Sequence, residues 1–195
     1  MKKRRLGSCV TFFPQPATLV VSADAGGAVN LMMASWAGIV SKTPPTMAVS
    51  LHHGRKSYAN IRELGWFSVN AVPAKYAIEA DLCGLASGKD TDKFELTGLT
   101  VESGATPDVQ LLSESPLNVE CRYSSEVVLG DYRLVLGEIV EIHACDAAFV
   151  EQGSIDARQF DPLVYLGGLR EYWSLGEKVA DAYRAGLSLL PAKND

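Results

Sequence analysis

The chain lacks any apolar run long enough to cross a bilayer as a helix, since nowhere do about 18 apolar residues follow one another. It has only four cysteines, Cys9, Cys83, Cys121 and Cys145, widely spaced and without a CxxC pair, and three histidines. A zinc site needs more ligands at closer spacing, so no metal centre is expected. Reduced thiols in a cytoplasmic protein are the simplest account of the cysteines. No GxGxxG or GxxxxGK[ST] loop follows a strand-like stretch, which argues against a parallel nucleotide-binding fold. Excess positive charge is missing as well: 18 basic and 23 acidic side chains give a formal charge of −5. A general grip on nucleic acid needs a basic footprint, so neither nucleic acid nor membrane is an expected partner. Net charge does not exclude a local basic pocket for one anion. The basic start, Met1-Lys2-Lys3-Arg4-Arg5, is read as a solvated tail, because Pro14, Pro16 and Asp24 interrupt the apolar residues that follow.

What is present suits a single domain over residues 1–195, with 47% hydrophobic residues for one sizeable core. Strand signals dominate. Thr18–Ala23 is apolar and β-branched and runs into the turn Asp24-Ala25-Gly26-Gly27. Residues 46–52 and Trp66–Ala71 are further strands, the first entered through Pro44-Pro45. Leu117–Leu129 and residues 132–143 form a long hairpin about Gly130-Asp131, with Gly137 marking a bulge or a close backbone approach. Helices are predicted over 57–64, capped by Ser57, and over 74–85, where Ile78 and Leu82 lie one turn apart. Tyr172, Leu175, Val179 and Tyr183 make a stripe that predicts a C-terminal helical segment packing on the core. Polar residues alternate along several strands, which favours a mainly β, closed or nearly closed antiparallel barrel.

Three stretches hold more polar and glycine residues than a plain barrel needs. The first, read as a loop, runs from Asn30 through Met32, Met33, Ala34, Ser35 and Trp36 to Gly38. It offers an amide, a hydroxyl and an aromatic, the mixture a flat ring with polar edges requires; a loop with one core tryptophan explains it equally. The second, His52-His53-Gly54-Arg55-Lys56-Ser57, offers a guanidinium, a hydroxyl and the first amides of a helix, all suited to phosphate. Its plain reading is a solvated charged turn. The third, residues 83–94, combines glycines that permit close backbone approach with Lys89 and Lys93 as candidate second cations, and Asp90 and Asp92 to hold those lysines or the loop itself. Ordinary loop chemistry also accounts for much of that stretch.

Together these stretches resemble the flavin reductase-like proteins, in particular their flavoredoxin branch. The likeness begins at Phe13-Pro14-Gln15-Pro16 and takes in residues 30–36, Pro44-Pro45, 55–62 and 67–70. It continues through the run Cys83-Gly84-Leu85-Ala86-Ser87-Gly88-Lys89-Asp90-Thr91-Asp92-Lys93-Phe94, then 116–121 and 136–140. It closes with Asp161-Pro162-Leu163-Val164-Tyr165 and Tyr172-Trp173-Ser174-Leu175-Gly176. The resemblance implies an FMN-binding split β-barrel, a Greek-key antiparallel barrel, working as a homodimer with FMN near the subunit interface. It implies that Asn30, Met32, Met33, Ala34, Ser35 and Trp36 meet the flavin ring and ribityl chain. Ser50, Leu51, His52, Arg55 and Ser57 then lead to the phosphate, Lys93 approaches it from the third stretch, and Cys83 and Ser87 lie close by. The chain departs from the family where a threonine commonly follows the first motif's methionine; Met33 stands there, so a hydroxyl contact is lost.

The activity so implied is an NAD(P)H-dependent flavin reductase, with hydride passing from NADH or NADPH to flavin N5. Such chemistry needs alignment rather than an acid–base pair, so no catalytic triad is required. One alternative is a flavoredoxin-like electron carrier served by a partner protein. Another is a barrel that binds a different ligand without redox chemistry. His143 is expected to be structural, and one of His52 and His53 to border the cofactor pocket.

Overall fold

The computed structural model describes residues 1–9, 13–150 and 155–191. Its strands are β1 (Pro14–Pro16), β2 (Thr18–Ala23), β3 (Val29–Ala34), β4 (Ala37–Lys42), β5 (Pro45–His52) and β6 (Trp66–Ala71). They continue as β7 (Val101–Ser103), β8 (Gln110–Leu112), β9 (Leu117–Leu129), β10 (Tyr132–Ala144), β11 (Val164–Leu166) and β12 (Glu171–Trp173). The helices are α1 (Lys56–Leu64), α2 (Ala77–Leu85), α3 (Lys93–Thr97) and α4 (Ala157–Phe160). None of them is long and apolar enough to cross a membrane.

Seven strands form one antiparallel sheet in the order β3-β2-β6-β9-β10-β5-β4. The sheet curls until Met32 and Ala34 of edge strand β3 share a buried cluster with Val49 and Leu51 of β5. No ladder joins β3 to β5, so the barrel is split there. A second cluster covers the outer face, where Leu19, Val21 and Leu31 meet Ala80 and Cys83 of α2 and Leu112 of β8. This explains β2: Val20 points into the barrel and its neighbours Leu19 and Val21 point out, yet all are fully covered. A strand buried on both faces reads as a continuous apolar run.

The hairpin of β9 and β10 turns at Gly130 (φ 60°), and a bulge falls between Leu136 and Gly137. Close approach operates at Gly137 too, since a Cβ there would lie 2.6 Å from Cζ of Phe67. Glu120 is wholly buried beneath the turn that joins β7 and β8. It accepts hydrogen bonds from the Ala105 and Thr106 amides at 2.6 and 3.0 Å and from Nε2 of His143 at 2.6 Å. His143 is thus structural.

Three expectations need correction. Residues 30–38 are not a loop: they are most of β3 and the start of β4, with only Ser35 and Trp36 turning between them. The C-terminal helical segment does not form. Tyr172 is in β12, Tyr183 has φ 61°, and among the described residues only the short 3-10 turn Ala185–Leu189 follows. Val179 and Tyr183 are fully exposed, and a short amphipathic stripe without a packing surface cannot offset the cost of helix nucleation. Ser57 does not cap α1. The cap position belongs to Arg55, and Ser57 lies inside the first turn with its hydroxyl buried. Nearby, Ile78 of α2 faces solvent.

Candidate active site

The split between β3 and β5 opens into two connected cavities. The larger, of about 370 Å³, runs along Met32, Met33, Ala34, Ser35 and Trp36 on one side and Ser50, Leu51 and His52 on the other. Trp36 and Tyr132 meet at a centroid distance of 5.1 Å, and the edge of Tyr132 meets His52 at 5.5 Å. Tyr165 and Tyr172, 5.2 Å apart, bring a second aromatic pair from β11 and β12. That pair is held in place because β11 lies between β1 and β12 in a small separate sheet. The Tyr172 hydroxyl donates to Asp81 Oδ1 at 3.0 Å. Burial, then this bond, pushes the phenol's pKa up, so it remains a donor at neutral pH. The cavity therefore has aromatic faces with a few polar groups, the character of a planar-ring site.

The smaller cavity, of about 260 Å³, shares Met32, His52 and Arg55 with the first. The chain leaves β5 in a tight turn, in which the Arg55 amide donates to His52 O at 3.0 Å and the Gly54 amide to His52 Nδ1 at 3.0 Å. Arg55 is extended at the head of α1, and no side chain caps that helix. Its opening amides thus remain for a ligand. Lys93 is only 4% exposed. Its Nζ donates to the carbonyls of Leu31 and Cys83, both at 2.8 Å, which leaves one proton uncommitted. Burial lowers the Lys93 pKa, and the Arg55 guanidinium lowers it further. No Asp or Glu lines this cavity, and among the described residues neither cation makes a salt bridge. Two neighbouring cations without an acid between them are suited to a multiply charged anion.

Asn30, Ser57 and Ser87 also line the smaller cavity, and Asn30 does not border the larger one. Cys83 is a correction. Its side chain is buried in the second core cluster and borders neither cavity, and burial pushes the thiol up to about 11. Only its carbonyl serves the site, through Lys93. Lys89 is exposed and lines a third cavity instead. Of the histidines, His52 borders the site while exposed His53 stacks on it at 4.8 Å. Sequence reasoning missed Tyr132, Tyr165, Tyr172 and Asp81. The two later tyrosines stand in stretches that carry the family resemblance, which was the one signal available.

The flavin reductase like domain matches residues 10–174. This chain belongs to that family. Its structure is similar to flavoredoxin of Desulfovibrio vulgaris (Miyazaki F), with a TM-score of 0.89 and 32% identity over 95% of this chain and all of that one. Flavoredoxin from Methanosarcina acetivorans gives a TM-score of 0.89 and 29% identity, over 97% and 100% of the two chains. An uncharacterised relative from Aeropyrum pernix is 31% identical over 78% of this chain, which spans 57% of that relative's length. The fold is the family's mainly β split barrel with short helices.

Proposed function

We propose that this chain holds FMN in the split between β3 and β5 and passes electrons through it as a carrier of the flavoredoxin type. The observation that carries the reading is the pairing of Arg55 and Lys93, without an intervening acid, beside an aromatic-walled slot. Arg55, Ser57 and the first amides of α1 would hold the phosphate, with Lys93 supplying charge from the floor. Trp36, Tyr132 and the Tyr165–Tyr172 pair would enclose the ring. When bound, the flavin supplies the redox chemistry, and the protein orients it and tunes its electronics. The carrier is preferred because both flavoredoxins match this chain along their whole length.

A second reading, direct oxidation of NADH or NADPH as a flavin reductase, draws on the family description. Anaerobic mixing of the yellow holoprotein with each nicotinamide separates the two. Slow or absent bleaching with nicotinamide, together with fast bleaching by a low-potential reduced protein, supports the carrier. Rapid bleaching by nicotinamide alone supports the reductase and overturns the carrier.

We further propose a homodimer. Its support is exposed apolar surface in two places: Val127, Val128 and Leu129 on the far half of the β9–β10 hairpin, and Ile39 and Val40 on β4.

A further inference from the structure

Behind the phosphate-sized cavity lies a third and larger one, of about 630 Å³. Phe94, Val29 and Val101 give it apolar area, and its charged lining is mixed, with Lys56 and Lys89 set against Asp90 and Asp92, and Lys56 paired with Asp24 at 3.6 Å. Its volume, and the ring of Phe94 in its wall, suit the adenosine half of a dinucleotide. Asn30, Lys56, Gly88 and Lys93 border both it and the phosphate-sized cavity, so these residues form the wall between them.

The centre of that wall is the side chain of Asn30, 6% exposed. Its Nδ2 donates to the Ser57 hydroxyl at 2.7 Å, which ties it to the first turn of α1. Its Oδ1 presses on Gly88 from the other direction, since a Cβ at position 88 would fall 1.8 Å from that oxygen. Hydroxyl, amide and glycine backbone therefore stand in contact across the passage, with the Lys93 side chain alongside. Glycine at 88 is what lets the wall close, because any side chain there would collide with the amide.

We propose that Asn30, braced between Ser57 and Gly88, makes the phosphate cavity a dead end and so selects flavin mononucleotide over flavin–adenine dinucleotide. The inference rests on the FMN reading given above. A terminal phosphate fits this cavity and presents its full charge to Arg55 and Lys93. A diphosphate must continue past the phosphate, and the wall stands where its adenosine half would otherwise reach the third cavity. A neutral amide closes the passage without repelling the phosphate, as an acid at position 30 would.

The test is titration of the flavin-stripped full chain with FMN and with FAD, followed by flavin fluorescence, in the native protein and in Asn30→Ala and Asn30→Ser. The serine variant keeps a polar partner for Ser57 but is too short to reach Gly88, so it serves if the alanine variant fails to fold. The native chain is expected to favour FMN by about tenfold or more, and that ratio is expected to fall by about tenfold in the variants as FAD gains affinity. In the Asn30→Ser background, Phe94→Ala should remove the gain for FAD while leaving FMN affinity as it was. Equal affinity of the native chain for both flavins, or an unchanged ratio in a folded variant, would overturn the partition while leaving the FMN reading intact. A native chain that binds neither flavin would instead sink the FMN reading itself.

Discussion

Arg55 and Lys93 line one small cavity that contains no carboxylate, although they come from elements far apart in the chain. The first leaves the end of β5 and the second opens α3. Lys93 gives two of its protons to main-chain carbonyls, so its position is fixed before any ligand arrives. Arg55 is exposed, and its guanidinium has no partner among the described residues. The pair combines an anchored charge with an adjustable one.

Arg55→Ala should therefore weaken FMN binding with little effect on folding. A hydrogen bond to a charged group contributes about 1.5–3 kcal/mol, so the loss is expected to be about 10- to 150-fold in Kd. Arg55→Lys should recover part of it, because charge returns without the two-pronged geometry. Isothermal titration at two salt concentrations checks both points. An FMN affinity indifferent to Arg55 would remove this residue from the phosphate site.

Trp36→Ala removes one ring of the Trp36–Tyr132 pair and should alter the environment of the flavin itself. Aromatic contacts of this kind contribute about 0.5–1.5 kcal/mol beyond area burial, which corresponds to about 2- to 12-fold in affinity. The visible absorbance of bound flavin should shift at the same time. Identical spectra and affinity would mean that Trp36 lies away from the ring.

Glu120 predicts a pH dependence of stability rather than of activity. Burial alone would raise its pKa, but the hydrogen bonds from Thr106, His143 and the Ala105 amide outweigh burial and hold it below the ordinary carboxylate value. A carboxyl depressed in the folded state stabilises fully above its unfolded pKa, near 4.5, and that contribution is lost as pH falls from there through the lowered folded value. Glu120→Gln should cost about 1–3 kcal/mol at neutral pH and flatten the acid limb of the Tm–pH curve. A variant whose Tm falls with acid as steeply as the native protein's would contradict this.

Sedimentation should show a dimer, and Val128→Asp should shift it toward monomer by placing charge on the apolar end of the hairpin. A native chain that sediments as a monomer at micromolar concentration, FMN included, would reject the homodimer.

Much of the scaffold was legible because its signals are local. Thr18–Ala23 is a β-branched run with a turn after it, the long hairpin has Gly130 at its tip, and Gly137 interrupts an alternating strand. β3 was not legible, because Asn30, Met32 and Met33 carry weak strand preference, and the segment is ordered by its pairing with β2. The cationic half of the site was legible for the opposite reason: Arg55 and Ser57 stand two residues apart, one at the head of α1 and one in its first turn. The aromatic half was not, since Tyr132, Tyr165 and Tyr172 meet Trp36 only through tertiary packing. Cys83 shows the converse error. A residue inside a motif-rich stretch can face the core while its neighbours face the ligand.

The small sheet of β1, β11 and β12 has a bearing on the order of biosynthesis. Tyr165 and Tyr172 emerge from the ribosome well after Trp36 and Tyr132, and they become fixed only when β11 returns to pair with β1, near the chain's beginning. A nascent polypeptide can thus close the barrel only once β10 has been made, and the second aromatic wall of the slot follows with β11 and β12. Capture of the pigment then becomes a checkpoint for near-complete synthesis, and fragments cut short before β11 should emerge colourless.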